Sequence, residues 1–148
     1  MKISAKGRYG LAAMTHIAQN NQTGDPITII SIAEKLGISK IYLEQVFSLL
    51  KRAGLVLSIK GAQGGYQLAV PPQEITVFAV LSAIELALFE QTESTVKEKA
   101  PVIDEVMQIT VFNTIDQTLE ETLKKITLTD LVNEVEKHKD KDNLMYFI

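Results

Sequence analysis

The stretch Ser31-Ile32-Ala33-Glu34-Lys35-Leu36-Gly37-Ile38-Ser39-Lys40-Ile41-Tyr42-Leu43-Glu44-Gln45-Val46-Phe47-Ser48-Leu49-Leu50-Lys51-Arg52-Ala53-Gly54 reads as two helices joined by a tight turn. Ser31 or Thr28 can cap the first helix, whose inner face is Ile32, Ala33 and Leu36. Gly37 breaks it, and Ser39 caps a second helix lasting to about Ala53, with Gly54 just past its end. Leu43, Val46, Phe47 and Leu50 recur at i, i+3, i+4, i+7 and share one face. Ser39, Lys40, Tyr42, Glu44, Gln45, Ser48, Lys51 and Arg52 occupy the other. The spacing of Ala33, Gly37 and Leu43 has a mechanical cause: two closely crossing helices need a small side chain at the crossing and a glycine at the turn.

Upstream, Gly10, Ala13, Met14, Ile17 and Ala18 predict a helix from about Ser4 to Gln19, ended by the turn formers Asn20 to Pro26. Ile27-Thr28-Ile29 is β-branched and predicts a short strand. Downstream, Leu55–Ile59 and Tyr66–Val70 predict two strands around Gly61-Ala62-Gln63-Gly64-Gly65. The glycines permit left-handed backbone and let the hairpin tip pass close to another backbone. A phosphate-cradling nucleotide loop is the poorer reading, because no helix N-terminus follows. Three helices and then a hairpin is the order of a winged helix-turn-helix, so the expected fold is mainly α with a small β-hairpin wing. In that arrangement the polar face of the second paired helix meets a major groove, where Ser, Tyr, Glu, Gln and Lys read base edges. Lys51, Arg52 and Lys60 suit phosphates.

Pro71-Pro72 closes this unit, which sets an expected DNA-binding domain at 1–72. Thr76 caps an apolar helix predicted over Val77 to Leu88, and a polar stretch runs from Glu90 to Lys99, together a connecting segment at 73–100. After Pro101, the apolar positions Val102, Ile103, Val106, Ile109, Phe112, Ile115, Leu119 and Leu123 predict a long helix to about Lys125, within 101–126. A shorter helix is expected over Thr127 to Lys137 with Leu128, Leu131, Val132 and Val135 inward. A solvated Lys139-Asp140-Lys141-Asp142 and an apolar end, Leu144-Met145-Tyr146-Phe147-Ile148, complete the segment 127–148.

Composition narrows the function classes. The chain has 148 residues, 46% of them hydrophobic, enough for one domain or a small domain with a helical extension. It contains no cysteine, which excludes disulfides, thiolate catalysis and cysteine-ligated metal or iron–sulfur sites. Lys2, Lys6 and Arg8 stand where a signal peptide would begin its apolar stretch. The most apolar run, Val77 to Phe89, is broken by Ser82 and Glu85 and falls short of the roughly 18 residues of a membrane span. A soluble, cytoplasmic protein with no membrane partner is expected.

The net charge of −3 hides a polarity. Residues 1–70 carry 8 basic and 3 acidic side chains, and residues 71–148 carry 7 and 15. Phosphate affinity follows the local field, and the first half is its source. Lys2, Lys6 and Arg8 therefore join the expected DNA contacts.

These residues resemble the IscR/CymR/NsrR family of bacterial winged-helix regulators. The matches are Met1-Lys2-Ile3-Ser4, Lys6-Gly7-Arg8-Tyr9-Gly10, Ser31-Ile32-Ala33, Tyr42-Leu43-Glu44-Gln45, Leu50, Ala53-Gly54-Leu55-Val56, Ser58, and Lys60-Gly61-Ala62 with Gly64-Gly65-Tyr66 and Leu68. Ile84-Glu85, Thr127-Leu128 and Leu131 extend the resemblance over nearly the whole chain. It implies base reading by Tyr42, Glu44 and Gln45, with Ser58, Lys60 and the wing-tip Gly64 and Gly65 near double-stranded DNA. It also implies a homodimer formed through the long helix by Val102, Val106, Ile109, Phe112, Ile115, Leu119 and Leu123. The implied activity is sequence-specific repression of transcription, with no enzymatic step.

The departures matter. Cluster-binding members hold iron–sulfur through cysteines between the fourth helix and the dimer helix, here about Phe89 to Ala100, and this stretch has none. No cofactor and no metal are expected, and the carboxylates there read as a solvated loop. Many members have Glu-Gly-Pro where this chain has Glu85-Leu86-Ala87, which alters the local turn. The end Met145-Tyr146-Phe147-Ile148 resembles the tail of the CymR type, which lacks a cluster, represses cysteine-uptake and sulfur genes, and binds cysteine synthase. Phe147 and Ile148 are thereby candidate anchors for a cysteine synthase, and packing of the tail on its own dimer is the alternative.

Rival classes have weaker support. His16 and His138 stand in a helix stripe and a charged tail, with no nucleophile or metal set beside them, and Glu85 is read as capping, pairing, or sensing something at the domain junction. Phe78, Leu81 and Phe89 read as core, with a small-molecule sensor site as the alternative. A winged helix used only for protein contacts is opposed by the basic surplus and the polar face of the third helix.

Overall fold

The first four helices open on the same device. The side-chain oxygens of Ser4, Thr28, Ser39 and Thr76 accept from the backbone N–H three residues on, at Gly7, Ser31, Tyr42 and Ala79. Each such cap stabilises its helix by about 1 kcal/mol. The helices they start are α1 (Ala5–Gln19), α2 (Ile29–Leu36), α3 (Lys40–Arg52) and α4 (Val77–Ile84) in the computed structural model, which describes the backbone of residues 1–146 and the side chains of residues 1–142. Gly37 ends α2 at φ 67° and Gly54 follows α3 at φ 77°, the left-handed geometry that favours glycine.

Between α3 and α4 lie β1 (Val56–Ile59) and β2 (Gly65–Leu68), antiparallel, with Val56 opposite Leu68 and Ile59 opposite Gly65. The strand expected at Ile27–Ile29 reduces to a single bridge. Ile27 exchanges backbone hydrogen bonds with Tyr66 at 2.9 and 2.8 Å, but Thr28 is already the cap and Ile29 the first residue of α2. Gly65, at φ 148°, lies against the Ile27 backbone so closely that a Cβ would overlap the Ile27 carbonyl. The hairpin is thus tied to the turn before α2, and Gln67 adds a bond from its amide to the Gly24 carbonyl at 3.0 Å.

The core joins Met14 and Ile17 of α1, Ile32 of α2, Leu43, Val46, Phe47 and Leu50 of α3, and Val56 and Leu68 of the hairpin. It continues past residue 72 through Ile75, Val80 and Ile84 to Leu128. At about 2 kcal/mol for each large side chain removed from water, this cluster is what holds α3 in place.

Downstream, α5 (Pro101–Met107), a π turn (Gln108–Phe112) and α6 (Asn113–Lys124) follow one another as a rod, and α7 (Leu128–Tyr146) returns to the helical core. The return is fixed by backbone bonds from Val77 to Ile126 and from Leu128 to Ile75, at 2.8 and 2.9 Å. Two expectations shift here. α4 ends at Ile84 rather than Leu88, because the chain turns at Glu85, whose carboxylate is engaged by Ser4. α7 runs well past Lys137: the charged stretch read as a solvated tail is exposed but helical, with pairs Glu134–Lys137 and Glu136–Lys139 spaced three apart along it.

Candidate nucleic-acid interface

The two faces of α3 differ completely. Leu43, Val46, Phe47 and Leu50 are fully buried, which forces Ile41, Glu44, Gln45 and Ser48 outward as one stripe, flanked by exposed Lys40, Lys51 and Arg52. Ile41, 71% exposed, is the member of this stripe that sequence reasoning misses. Its signal is present all the same: position 41 lies outside the i, i+3, i+4, i+7 set that builds the core. Lys40 and Glu44 stand 3.9 Å apart on the surface, an exposed pair worth little and easily opened.

Tyr42 is placed differently from the other expected readers. It is half-buried, and its ring meets Tyr9 of α1 edge-on at 5.1 Å. Only part of the ring remains accessible beside α3. The Ser39 hydroxyl is occupied as the helix cap, accepting from the Tyr42 N–H at 3.2 Å.

On the hairpin, Ser58 is half-buried and Lys60 is exposed. Gly64 and Gly65 have packing duties of their own: a Cβ on Gly64 would strike the Ile59 carbonyl, and Gly65 meets Ile27. At the amino terminus Lys2 is exposed and Lys6 half-buried, one turn before Tyr9 on the same helix face. Arg8 is turned back, its Nη1 donating to the Ile3 carbonyl at 2.9 Å. The Tyr9–Tyr42 pair therefore packs the amino-terminal half of α1 against the start of α3.

Along the rod, Val102, Val106, Ile109 and Ile115 are exposed, whereas Phe112, Leu119 and Leu123 are half-buried. The stripe expected to be continuous is uneven: Ile109 in the π turn and Ile115 beyond it are exposed, Phe112 between them is half-buried, and Leu119 and Leu123 are half-buried further on. Leu119 faces α4, lining a cleft of about 170 Å³ with Phe78, Leu88 and Phe89. Of the aromatic set read as core or sensor, Leu81 is buried, while Phe78 and Phe89 pack edge-on at 4.9 Å and Lys124 caps the Phe78 ring at 4.9 Å.

A profile described as "Rrf2: Iron-dependent Transcriptional regulator" matches residues 3–134. The chain belongs to the Rrf2 family. Against the HTH-type transcriptional regulator IscR of Aliivibrio salmonicida (strain LFI1238) it is 37% identical over 146 residues, covering 97% of this chain and 86% of that protein. The solved T. potens IscR superposes with a TM-score of 0.72 at 36% identity, over 93% of this chain and 90% of that one. CymR, the global cysteine regulator of B. subtilis, superposes with a TM-score of 0.70 at 35% identity, over 90% and 98%. This Rrf2 member is accordingly a DNA-binding transcription regulator of winged-helix fold, and not an enzyme.

The iron named in the family description meets a poor donor set here. The chain has no cysteine, and among the described residues no group of three or more His, Cys, Asp or Glu side chains lies close enough to hold a metal ion. The segment between α4 and α5 is organised by a carboxylate instead. Asp104, the buried charged residue of α5, accepts from the backbone N–H of Thr95 at 3.1 Å and of Val96 at 3.3 Å. Burial by itself pushes this carboxyl up, but hydrogen bonds from the Ser94 hydroxyl and the Val96 and Thr95 amides, with Lys97 nearby, outweigh it and hold the group below its usual value. Gln108 adds a bond to the Thr92 carbonyl at 3.1 Å, so the polar stretch read as a solvated loop is stitched to the rod. An iron–sulfur cluster does not fit these residues.

His16 and His138 both line a groove of about 730 Å³ between α1 and α7, whose walls include Leu11, Leu36, Leu131 and Val135. Partial burial lowers the His16 pKa, with the Lys35 charge acting in the same direction and a hydrogen bond to Gln19 opposing. Glu85 pairs with Ser4 at the start of α1. No described helix is long and apolar enough to cross a membrane. Phe147 and Ile148, the expected tail anchors, lie outside the described residues.

Proposed function

We propose that this Rrf2 member acts as a homodimeric repressor that reads a pseudo-palindromic operator with the exposed stripe of α3. The observation that carries the reading is the division of α3 itself: its apolar face is wholly buried, so the helix is rigidly seated while Glu44, Gln45, Ser48 and Ile41 stand free. Gln45 suits adenine, Glu44 accepts from cytosine, and Ile41 offers apolar contact to a thymine methyl. Tyr42 contributes through its accessible edge, and Ser39 lies at the helix start that points into the groove. Lys40, Lys51, Arg52 and Lys60, with Lys2, Lys6 and Arg8, supply phosphate contacts that fix register. Ser58 and the hairpin tip at Gly64 and Gly65 follow the adjacent backbone. In this reading residues 1–72 form the DNA-binding unit, 73–100 connect it, 101–126 pair the subunits and 127–148 complete the carboxy terminus.

Pairing is supported by surface. Val102, Val106, Ile109 and Ile115 are 70, 54, 60 and 58% exposed along one rod, an unusual run for a solitary subunit. The accessible surface of 10132 Å² compares with roughly 7,500 Å² for a compact monomer of this mass. Phe112, Leu119 and Leu123 flank that face, and the apolar groove between α1 and α7 offers a second surface for the same pairing. Two recognition helices would then lie about one helical turn, roughly 34 Å, apart.

Control of cysteine or sulfur genes is supported by the likeness to CymR and by the absence of cysteine. Selection of duplexes from a random-sequence pool by the purified protein tests the whole reading. A palindromic motif bound with a steep salt dependence is expected, and no enrichment even in dilute buffer removes it. Mapping the motif onto promoters tests the sulfur assignment. Removing Ile148 and measuring affinity for a cysteine synthase tests the tail, and unchanged affinity discards it.

A further inference from the structure

We infer that Glu85 is a positioning residue for DNA binding: from the end of α4 it clamps the first turn of α1 and so sets where the cationic amino-terminal arm lies beside α3. The inference rests on the phosphate contacts proposed for Lys2 and Lys6 and names what holds them in register.

Both bonds of the clamp end on one carboxylate oxygen. The Ser4 backbone N–H donates to Glu85 Oε1 at 2.7 Å and the Ser4 hydroxyl donates to the same atom at 2.6 Å. The Ser4 hydroxyl oxygen in turn accepts from the Gly7 N–H at 3.2 Å as the cap of α1. A continuous chain therefore runs from the first turn of α1 through Ser4 to Glu85, across 81 residues of sequence. The Arg8 guanidinium closes the other side of the arm on the Ile3 carbonyl.

The sequence of α1 is cut to admit this contact. A Cβ on Gly7 would overlap the Glu85 carboxylate, and a Cβ on Gly10, one turn later, would overlap the Ile84 side chain. Two glycines three residues apart thus let the end of α4 lie directly on α1. Lys6 shares a helix face with Tyr9, and Tyr9 packs edge-on against Tyr42 in the first turn of α3. Fixing the start of α1 consequently fixes the backbone that carries Lys6, one turn before the Tyr9 ring that meets α3.

A carboxylate suits the position for two reasons. It faces the positive end of the α1 dipole, and it lies within a short cationic segment that would otherwise repel itself. Without the clamp, the Ser4 N–H and hydroxyl lose their acceptor, the capped first turn of α1 is no longer tied to the end of α4, and DNA must then order the arm on binding. Because Glu85 is also the first residue past α4, the same bond couples the arm to the segment that leads into the rod.

The test compares full-length wild type with Glu85→Ala, Glu85→Gln and Ser4→Ala on the duplex that the wild type enriches from a random pool, titrated with salt. Glu85→Ala should bind about tenfold more weakly, with a log–log salt slope shallower by about 0.9 for each phosphate that the arm no longer neutralises. Glu85→Gln should fall between wild type and Glu85→Ala, since its amide oxygen accepts both Ser4 bonds but brings no charge to the α1 dipole. Adding Ser4→Ala to Glu85→Ala should cost less than the two single changes summed, because they share the Ser4 hydroxyl–Glu85 bond. A structural loss would instead lower the bound fraction with the slope unchanged. A folded Glu85→Ala with wild-type affinity and slope overturns the inference. If that variant does not fold, Glu85→Met decides instead: it fills the same space and leaves the Ser4 cap on Gly7 intact while accepting no hydrogen bond, so a shallower slope supports the clamp and an unchanged slope refutes it. Should the wild type enrich no duplex, the DNA reading falls and the clamp with it.

Discussion

Two helical regions of this protein carry the same apolar period and place it in opposite ways. In α3, Leu43, Val46, Phe47 and Leu50 are all fully buried against α1, α2 and the hairpin. In the rod of α5 and α6, Val102, Val106, Ile109 and Ile115 remain in solvent. An apolar stripe says that a helix needs a partner, not whether that partner belongs to the same chain. Where the partner is internal, the opposite face is released for recognition and held rigid. Where it is external, as proposed for the rod, the stripe itself would be the interface and its stability would depend on concentration.

The comparison can be broken most severely on the α3 side. Phe47→Ala should cost about 4 kcal/mol of folding stability, a large part of what a domain of this size has, and thermal unfolding will read it. The rod should respond oppositely. Ile109→Glu adds a charge to an exposed face, so the single chain should melt nearly as before while sedimentation shows a monomer. Operator affinity should drop about 100-fold, roughly 2.7 kcal/mol, as the second half-site goes unread. A dimer that survives this change would mean that the rod is not the pairing surface.

Smaller changes sharpen the functional face. Gln45→Ala should lower operator affinity by about 2 kcal/mol and relax the base preference at one position per half-site, with dimerisation intact. Lys60→Ala should weaken all duplexes alike and reduce the salt slope by about 0.9, which a gel-shift titration at several salt concentrations will measure. The smallest effect is expected at Asp104. Its pKa is lowered on folding, so its contribution is complete above the ordinary value of 3.8 and is lost as pH falls through the lower folded value. Asp104→Asn should remove that acid transition and speed hydrogen exchange at Thr95 and Val96.

Much of the candidate interface is legible in the sequence because it is built from local rules. Caps at Ser4, Thr28, Ser39 and Thr76, the breaks at Gly37 and Gly54, and the core set on α3 all follow from residues within one or two turns of each other. Glu44, Gln45 and Ser48 can be placed outward by the same reasoning. Ile41 is equally readable by its position, yet its apolar character argues for an inward place, and only burial in the folded chain corrects that.

What the sequence by itself determined is therefore the helix pair, the hairpin behind it, the charge polarity and the absence of any thiolate ligand. Tertiary structure alone decided that Tyr42 is shared with Tyr9, that Gly65 serves the Ile27 backbone, that α4 stops at Glu85, and that a π turn interrupts the rod. The physical reason is range. Periodicity and capping act over three or four residues, whereas each of these features depends on an atom that folding brings from a distant segment or on a phase shift that no local pattern encodes.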